Sequence, residues 1–575
     1  MPTVNLRRAL AATLLLPLAA ACAAAPPPEK APAPPAAVSS VAAASAPPVQ
    51  ITLVGTSDLH GRLATLPLLG GYLSVLRARN PGGVLLVDAG DMFQGTLESN
   101  SNEGAAVIDA YEKLGYDAVA IGNHEFDYGP VGPASTVHKS AAEGSARDPR
   151  GALKARAAQA KGAFPVLAAN VLEDDHPLDW PNVAASVLVT KHGVPVGIIG
   201  VTTIGTLKTT IAANVVGIRV TPLAEAIVAQ AASLRARGAK LLIVAAHAGG
   251  ECGKNDAPAD LSSCDAAAEI FEVARKLPAG AVQAIVAGHS HKSIAHEVAG
   301  IAIIQSGAYG AAFGRVDFTV DPATGQVLEV GIHPPEPVVR EALFEGAATV
   351  PAPEVEQAIA PAVEAARARR AESLGVTLSG PFPAKHREES ALGNLVAGVL
   401  LDLDPKASIA FGNGGGLRAD LAAGPLTYGA LYDTLPFENR LARLTMTGKV
   451  LRDTLERNLT GKGSILSIAG ARVEARCAGG KLAVEVFLTG RKKAERKVKD
   501  EDHVVIVTNE FLATAGDDFG PGEHVEIDED GPAFREPLAA LLKKRGGTLK
   551  PEEWYSPGKP HLHLPGPIGA TICGP

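Results

Sequence analysis

The sequence predicts a mixed α/β protein with two folded domains, and three observations support this fold class. The chain has 575 residues, more than a single domain usually holds. Hydrophobic residues make up 46% of it and charged residues 20%, which is enough apolar material for true cores. Short runs of Val, Ile and Leu alternate with helix-like segments, as expected for sheets that helices cover on both faces.

The charge balance excludes one class of partner. A formal net charge of -8 provides no positive surface for duplex nucleic acid, whose binding depends on clustered Lys and Arg. A small anionic ligand would need local positive charge, such as metal ions. No feature of the sequence indicates a protein partner.

Residues 1–22 have the pattern of an export signal. Two arginines precede an apolar run that is too short to span a bilayer stably. The stretch from Ala19 to Cys22 resembles the cleavage box of bacterial lipoproteins, with Ala19 where Leu is usual. We expect an exported periplasmic or cell-surface protein whose membrane contact is a lipid on Cys22. The alternative is an ordinary cleaved signal with a chance cysteine.

Residues 23–48 consist almost entirely of Ala, Pro and Ser, which cannot form a packed core and favour an extended spacer. We interpret them as a tether. If Cys22 carries lipid, four cysteines remain, and an even number in an oxidising compartment suggests disulfides. Cys252 with Cys264, in a stretch rich in Gly, Asp and Ser, is the favoured pair. Cys477 with Cys573 follows only by elimination.

Within residues 49–340, five apolar runs each end on polar side chains. Ligand sites of α/β sheets lie at the carboxyl ends of the strands, so these side chains are predicted to converge. Asp58 and His60 are two residues apart and would point to the same side of an extended chain. A single polar residue after a strand usually makes a turn or caps a helix, but five such endings favour a site. The predicted strands are 51–54, 84–87, 118–121, 241–246 and 284–287.

The residue types at these strand ends indicate a metal site. Imidazole nitrogens and carboxylate oxygens are ligands that suit zinc, manganese and related divalent ions. Thiolates, which would suggest copper(I) or iron–sulfur chemistry, are missing from these positions.

The same positions carry a family resemblance. The blocks Asp58-x-His60, Gly90-Asp91, Gly122-Asn123-His124-Glu125, His247 and Gly288-His289-x-His291 resemble the signature blocks of the calcineurin-like metallophosphoesterases, in the same order. The longer strings at 88–96 and 122–129 are similar to the 5'-nucleotidase branch. The resemblance implies a four-layer sandwich, in which sheets are flanked by helices, for residues 49–340.

The resemblance also implies two divalent metal ions and a role for each matching residue. Asp58, His60, Asp91 and His291 would hold one ion, and Asp91, Asn123, His247 and His289 the other, with Asp91 bridging. His124 would be the catalytic histidine that contacts the phosphate, and Asp127 would orient its ring. The alternative is that His124 and Asp127 only support their loop.

A linker helix is predicted in the segment 341–375, because residues 353–373 are rich in helix formers and charge. Residues 353–373 are our candidate hinge. A second mixed α/β domain follows at 376–575. There a predicted strand ends on the Gly-rich stretch from Asn413 to Arg418, with Gly415 at its centre. Its glycines allow close approach of the backbone to a ligand, and Arg418 offers a fork for an anion. A tight turn with a surface Arg is the alternative.

The stretches 413–418, 435–439 and 509–519 resemble the C-terminal domain of 5'-nucleotidases. The resemblance implies that Phe437 and Phe511 enclose a nucleoside base and that Asp517 binds the ribose. The alternative places both phenylalanines in the core. The chain has His386 where that family commonly has an anion-binding Arg, so substrate preference could differ from that of typical members.

The expected activity is the two-metal hydrolysis of nucleoside 5'-monophosphates to nucleoside and phosphate outside the cytoplasm. The same fold is compatible with 2',3'-cyclic phosphodiesterase/3'-nucleotidase activity or with UDP-sugar hydrolysis, and fold alone does not choose among them. A lipid-anchored nucleotide-binding protein without catalytic activity is the alternative from a different class.

Overall fold

The structure is a computed structural model and describes residues 47–132, 148–437, 439–461, 463–490, 494–514, 519–528, 532–569 and 572–573, with only the backbone of 212 and 213. The predicted export signal with Cys22, nearly all of the predicted tether, and Asp517 lie outside the described residues. In the described part of the chain, no helix combines the length and apolar character that crossing a membrane requires.

Two large sheets form the first half of the structure. One has the strand order β16-β15-β1-β2-β3-β4-β7 and the other β13-β14-β12-β11-β9-β8. The strands up to the linker are β1 (Val49–Thr56), β2 (Val84–Asp88), β3 (Ala118–Ala120), β4 (Val166–Leu167), β5 (Val171–Glu173), β6 (His176–Pro177), β7 (Val183–Ala184), β8 (Ser186–Lys191), β9 (Val194–Thr202), β10 (Ile218–Val220), β11 (Leu241–His247), β12 (Ala284–Ala287), β13 (Ser293–Val298), β14 (Ile301–Ser306), β15 (Ala312–Val320), β16 (Val327–Pro337), β17 (Leu343–Phe344) and β18 (Ala347–Ala348).

The two sheets pack face to face, and helices cover their outer faces. The helices are α1 (Leu66–Arg79), α2 (Leu97–Asn100), α3 (Ala105–Leu114), α4 (Gly151–Gln159), α5 (Leu223–Ala236) and α6 (Glu269–Lys276). Leu85 and Ile243 belong to the core between the sheets, whereas Leu86 packs against the helices that cover the first sheet. Because both faces are buried, the strands appear in the sequence as continuous apolar runs. The four-layer sandwich is confirmed.

The predicted linker region contains one long helix, α7 (Pro353–Arg370). Pro353 suits the first helical turn, where no backbone N–H donor is needed, and arginines in the last turn complement the helix dipole. Val355 and Ile359 pack in the core of the first half, and Ala366 packs in a core of the second half. The helix is therefore anchored in both halves of the protein.

The second half contains sheets of five, three and four strands, ordered β23-β20-β27-β22-β28, β21-β19-β29 and β26-β25-β24-β30. Its strands are β19 (Ser373–Leu378), β20 (Ile409–Asn413), β21 (Gly424–Thr427), β22 (Leu441–Thr447), β23 (Leu466–Ala469), β24 (Ala471–Ala478), β25 (Lys481–Leu488), β26 (Arg496–Lys497), β27 (His503–Asn509), β28 (Glu523–Ile527), β29 (Gly547–Leu549) and β30 (Leu562–His563). The helices are α8 (Ala391–Leu403), α9 (Tyr428–Thr434), α10 (Gly448–Thr460), α11 (Glu510–Ala513), α12 (Arg535–Arg545) and α13 (Pro551–Trp554).

Two neighbouring strands of the second half bring its predicted ligand-binding segments together. β20 and β27 pair in parallel, so their carboxyl ends lie side by side. β20 leads into the glycine turn at 414–416, and β27 leads into α11, which carries Phe511. The side chain of Asn509 donates a hydrogen bond of 3.0 Å to that of Asn413 and ties the two ends to each other.

Both disulfide pairings expected from the sequence are formed. Cys252 is bonded to Cys264, and Cys477 is bonded to Cys573. The first bond closes a short loop directly after β11. The second links β24 to the C-terminal segment.

Candidate functional site

The five predicted strand ends meet at one place between the two large sheets. β1, β2 and β3 belong to the first sheet, and β11 and β12 belong to the second. Two groups of potential metal ligands form there, each with its ligand atoms within 4.8 Å of one another. Asp91 is common to both groups, which are Asp58, His60, Asp91 and His291 in one and Asp91, His247 and His289 in the other.

The distances within these groups show how compact they are. Nε2 of His60 lies 2.9 Å from Nε2 of His291 and 3.9 Å from Oδ2 of Asp91. Nε2 of His247 lies 3.2 Å from the same Oδ2 atom of Asp91. The Asp91 carboxylate is therefore the element that both groups share.

Asn123 completes the second group. Its Oδ1 lies 2.9 Å from Nε2 of His247 and 3.0 Å from Nδ1 of His289. Its Nδ2 donates a hydrogen bond of 3.1 Å to the carbonyl oxygen of Thr209, so the amide oxygen, a metal-binding atom, faces the histidines.

The backbone geometry corrects one prediction. Asp58 and His60 do not lie in an extended chain, because both have positive φ angles, 53° and 49°. The same holds for Asp91, His289 and His291, with φ of 59°, 76° and 57°. Left-handed conformations at residues other than glycine cost roughly 1–3 kcal/mol each and concentrate at functional sites. The ligands converge through strained turns and not through strand alternation.

Neighbouring groups hold these turns in place. The carboxylate of Glu125 accepts hydrogen bonds from the backbone N–H groups of Gly122, Asp91 and Met92, at 2.6, 2.8 and 2.7 Å. A Cβ atom on Gly122 would lie 2.2 Å from Oδ1 of Asp91, so this position requires glycine. Glu125 was not among the residues singled out from the sequence as functional, although it is part of the quoted block.

The electrostatics of the cluster suit a cation. Burial lowers the pKa of His60 to about 3 and that of His289 to about 4, which keeps their ring lone pairs free. Burial also lowers the pKa of His247, but Asp91 and Asp58 outweigh this effect and raise it to about 9. The carboxylates thus attract positive charge to His247, and a divalent ion would supply that charge in place of a proton. The donor set, of imidazole, carboxylate and amide groups, fits two such ions.

His124 and Asp127 form a pair beside the metal-ligand groups. Nδ1 of His124 lies 2.5 Å from Oδ2 of Asp127, and the His124 backbone N–H donates to Oδ1 of Asp91 at 2.9 Å. Burial lowers the pKa of His124, but the charges of Asp127 and Asp91 together raise it to about 10. The carboxylate of Asp127 therefore favours the protonated form of the ring.

A cavity of about 310 Å³ joins the pair to the second half of the protein. Its walls come from both halves, and His124 and Asp127 are among its lining residues. The other lining residues are Thr209, Thr210, Ile211, Asn413, Gly415, Arg418, Phe437, Asn439 and Phe511. A second and more polar cavity, of about 820 Å³, shares His124, Arg418 and Phe437 with the first and extends past His60 and His291 to Arg62 and Tyr309.

The structure brings most of the predicted ligand-binding residues of the second half into the first cavity. Phe437 and Phe511 are half-buried in its wall, and the guanidinium carbon of Arg418 lies 5.7 Å from the centre of the Phe437 ring. His386 is exposed and does not line either cavity. Its backbone carbonyl accepts a hydrogen bond from Ile465 N–H beside the glycine turn. Asp517 lies outside the described residues.

Four residues that line the first cavity were not found by sequence reasoning. Asn439 belongs to the quoted block at 435–439, so its motif was a usable signal. Thr209, Thr210 and Ile211 lie in an irregular segment after β9 whose sequence is that of an ordinary loop. No signal in the single sequence marks them.

Comparison with known proteins identifies both halves. The family model for calcineurin-like phosphoesterases matches residues 51–293, which include both groups of potential metal ligands. The model for the 5'-nucleotidase C-terminal domain matches residues 372–521, which include Phe437 and Phe511.

Similar proteins span most of the described chain. The endonuclease YhcR of Bacillus subtilis is 26% identical over 81% of this chain and 36% of its own length. The trifunctional nucleotide phosphoesterase YfkN of the same organism is 25% identical over 87% of this chain and 34% of its own length. This chain thus covers about a third of these two relatives. The crystal structure of a 5'-nucleotidase precursor from Thermus thermophilus matches with 25% identity and a TM-score of 0.61, over 89% of this chain and 99% of that one.

The two family models occur in the same order as the two halves of the structure, and their matches contain the metal-ligand groups and the cavity walls. The chain belongs to the 5'-nucleotidase family, with a calcineurin-like phosphoesterase domain followed by a 5'-nucleotidase C-terminal domain.

Proposed function

We propose that this protein is a metal-dependent hydrolase that converts nucleoside 5'-monophosphates to nucleoside and phosphate. The observation that carries the proposal is a single cavity lined by Phe437 and Phe511 and also by His124, which lies beside the metal-ligand groups. Stacking of a base between aromatic rings contributes on the order of 1–3 kcal/mol per base. A nucleotide whose base lies against these rings has its phosphate directed toward His124.

The residues have separate tasks in this reaction. Asp58, His60, Asp91 and His291 would hold one divalent ion, and Asp91, Asn123, His247 and His289 the other. Bound there, the ions supply Lewis-acid charge to the phosphate and lower the pKa of the attacking water. Arg418 contributes positive charge beside the phosphate. His124, protonated and held by Asp127, donates a hydrogen bond to the oxygen that leaves phosphorus.

We further propose the domain division 49–340, 341–375 and 376–575. Helix α7 lies inside the middle segment, and the matched family models lie on either side of it. The described structure gives His386 no place in the wall of the cavity, so any part that it has in anion binding would require movement of its segment.

A substrate panel tests the proposed activity. With added manganese or zinc, we expect AMP to give a higher kcat/KM than 3'-AMP, ATP, UDP-glucose or 2',3'-cyclic AMP. The alternative is 2',3'-cyclic phosphodiesterase/3'-nucleotidase activity or UDP-sugar hydrolysis. The 820 Å³ cavity is the observation that favours this alternative, since it has room for a second substituent on phosphorus. A preference for UDP-glucose or for the cyclic nucleotide would replace 5'-nucleotidase activity with that alternative. Nucleotide binding without turnover of any substrate would indicate the non-catalytic binding protein.

The base-binding role of Phe437 can be measured separately. We expect Phe437→Ala to raise KM for AMP by about 5- to 100-fold, the loss of one stacking face. KM for p-nitrophenyl phosphate, which has no base, should change little. An equal rise for both substrates would show that Phe437 shapes the phosphate site and does not bind the base.

We propose that the protein is exported and anchored through a lipid on Cys22, as the N-terminal sequence pattern indicates. Cys22→Ala should move the protein from the membrane fraction to the soluble fraction. If the variant stays in the membrane fraction, the lipid anchor is wrong. An unmodified mature N-terminus by mass spectrometry would lead to the same conclusion.

A further inference from the structure

We propose that Thr210 is a positioning residue for the reaction and acts on His124 through Asp127. The proposal rests on the proposed function, because it concerns the orientation of the histidine that serves the phosphate. Thr210 lies 86 residues after His124 in the sequence. It lies between two short 3-10 helices, Ile204–Lys208 and Ala212–Val215, that connect β9 to β10.

The hydrogen bonds around Asp127 carry the proposal. Oγ1 of Thr210 donates to Oδ1 of Asp127 at 2.7 Å, and Oδ2 of the same carboxylate lies 2.5 Å from Nδ1 of His124. Each carboxylate oxygen therefore has its own partner, and rotation of the carboxylate would break both contacts. Thr210 is 8% exposed, so its contact with Asp127 is largely shielded from bulk solvent.

The same segment supports the metal-ligand groups. The carbonyl oxygen of Thr209 accepts the hydrogen bond from Nδ2 of Asn123, which turns Oδ1 of Asn123 toward His247. Farther along, the buried side chain of Asn214 donates to the carbonyl oxygens of Phe126 and Asp127, at 2.7 and 3.2 Å. Residues 209–214 thus hold the turn that carries both Asn123 and Asp127.

This segment is also a wall of the 310 Å³ cavity, which Thr209, Thr210 and Ile211 line together with residues of the second domain. A nucleoside in the cavity would contact the segment that orients His124. A purely structural threonine would lower stability without changing turnover of the folded enzyme.

Replacement by an isosteric residue tests the proposal. Thr210→Val should lower kcat for AMP by about 10- to 100-fold, the usual cost of removing an outer hydrogen bond that orients an active group. KM should change by less than about threefold. Bound metal should be retained. Thr210→Ser keeps the hydroxyl group and should restore kcat to within about threefold of the wild type.

The matched control is Thr52→Val in strand β1. Oγ1 of Thr52 also donates to an aspartate, Asp317, at 2.7 Å, and Thr52 is buried at 2% exposure. Thr52→Val removes the same kind of bond away from the cavity and should leave kcat unchanged. If Thr52→Val and Thr210→Val lower kcat equally, or if Thr210→Ser is as slow as Thr210→Val, the positioning role is refuted.

A double-mutant cycle tests whether Thr210 acts through Asp127. In the Asp127→Ala background, Thr210→Val should lower kcat by less than about twofold, because the contact that it supports is already gone. Additive losses would show that Thr210 acts by another route and would overturn the proposal.

A readout independent of nucleotide turnover separates this proposal from the proposed function. In zinc-loaded protein with nitrogen-labelled histidine, the Nδ1 proton resonance of His124 should shift in Thr210→Val and stay in place in Thr210→Ser and Thr52→Val. An unchanged resonance in Thr210→Val refutes the positioning role, even if AMP is a substrate. A shifted resonance in an enzyme that does not hydrolyse AMP would reject the substrate and retain the role of Thr210.

Discussion

Asp91→Ala is expected to release both metal ions and to lower phosphatase activity by at least about a thousandfold. Its carboxylate belongs to both ligand groups, and Oδ2 lies 3.2 Å from His247 and 3.9 Å from His60. Burial raises the pKa of Asp91, but His247 and His124 outweigh this effect and hold it well below its usual value, so the group is an anion. Elemental analysis of the purified variant and kcat/KM for AMP measure the two effects.

Asp91→Asn checks that the loss does not come from misfolding. The backbone of Asp91 has a φ of 59°, which asparagine tolerates far better than alanine. Asn also keeps an oxygen that can accept the hydrogen bond from His124 N–H. In the wild type, the His124 nitrogen lies 2.9 Å from Oδ1 of Asp91. Asp317→Asn, at a partly buried aspartate of the β15 strand, serves as the control and should retain both ions.

Thermal unfolding adds a test that does not depend on activity. A ligand present at a thousand times its Kd stabilises the native state by about 4 kcal/mol, so a chelator should lower the Tm of the wild-type protein. The Tm of Asp91→Asn should not respond to the chelator. If Asp91→Ala kept two ions per chain, the carboxylate would not be the shared ligand.

The sequence predicted where the site would be, because its signal depends on buried strands. Each strand is covered on both faces and therefore appears as an apolar run, and the first polar residue after it marks a carboxyl end. The apolar pattern marked the strand ends, and the resemblance to the calcineurin-like metallophosphoesterases then singled out Asp91, Asn123 and His247 among the residues there. The sequence also predicted a helix in the linker region from its helix formers and charges, and the structure has α7 there.

The conformation of the ligand turns could not be predicted in the same way. Asp58 and His60 were expected in extended chain, but both adopt left-handed backbone angles. An apolar pattern carries no information on these angles, because hydrogen bonds between residues distant in the sequence enforce them. His60 N–H donates to the carbonyl oxygen of Asp91, and Asp58 N–H donates to that of Gly90.

Residues that act through a neighbour were missed for a related reason. Thr210 reaches Asp127 across 83 positions, and its role depends only on the fold that places the two side chains together. His386 shows the opposite case. It was named because of its position relative to a family block, but its side chain is exposed and its carbonyl makes the local contact. A position in a motif predicts proximity to a site better than it predicts the direction of a side chain.

His124→Ala is expected to lower kcat for AMP by about two to four orders of magnitude while both metal ions stay bound. The ring makes no contribution to the two ligand groups, so its removal should leave them intact. It does remove a cation, since Asp127 and Asp91 raise the pKa of His124 to about 10 against the effect of burial. Kinetics with metal analysis of the same sample measure both quantities.

The dependence of the loss on the leaving group tests whether His124 assists the departing oxygen. If the ring donates a proton or a strong hydrogen bond to the departing oxygen, the loss should be large for AMP, whose alkoxide leaves poorly. It should be at least about tenfold smaller for p-nitrophenyl phosphate, whose phenolate needs little assistance. Asp127→Asn, which keeps the size of the side chain beside Nδ1 but removes its charge, should show the same dependence on leaving group with smaller losses. Equal losses for both substrates would exclude assistance to the departing oxygen. Loss of metal in His124→Ala would mean that His124 supports the loop that carries Asn123.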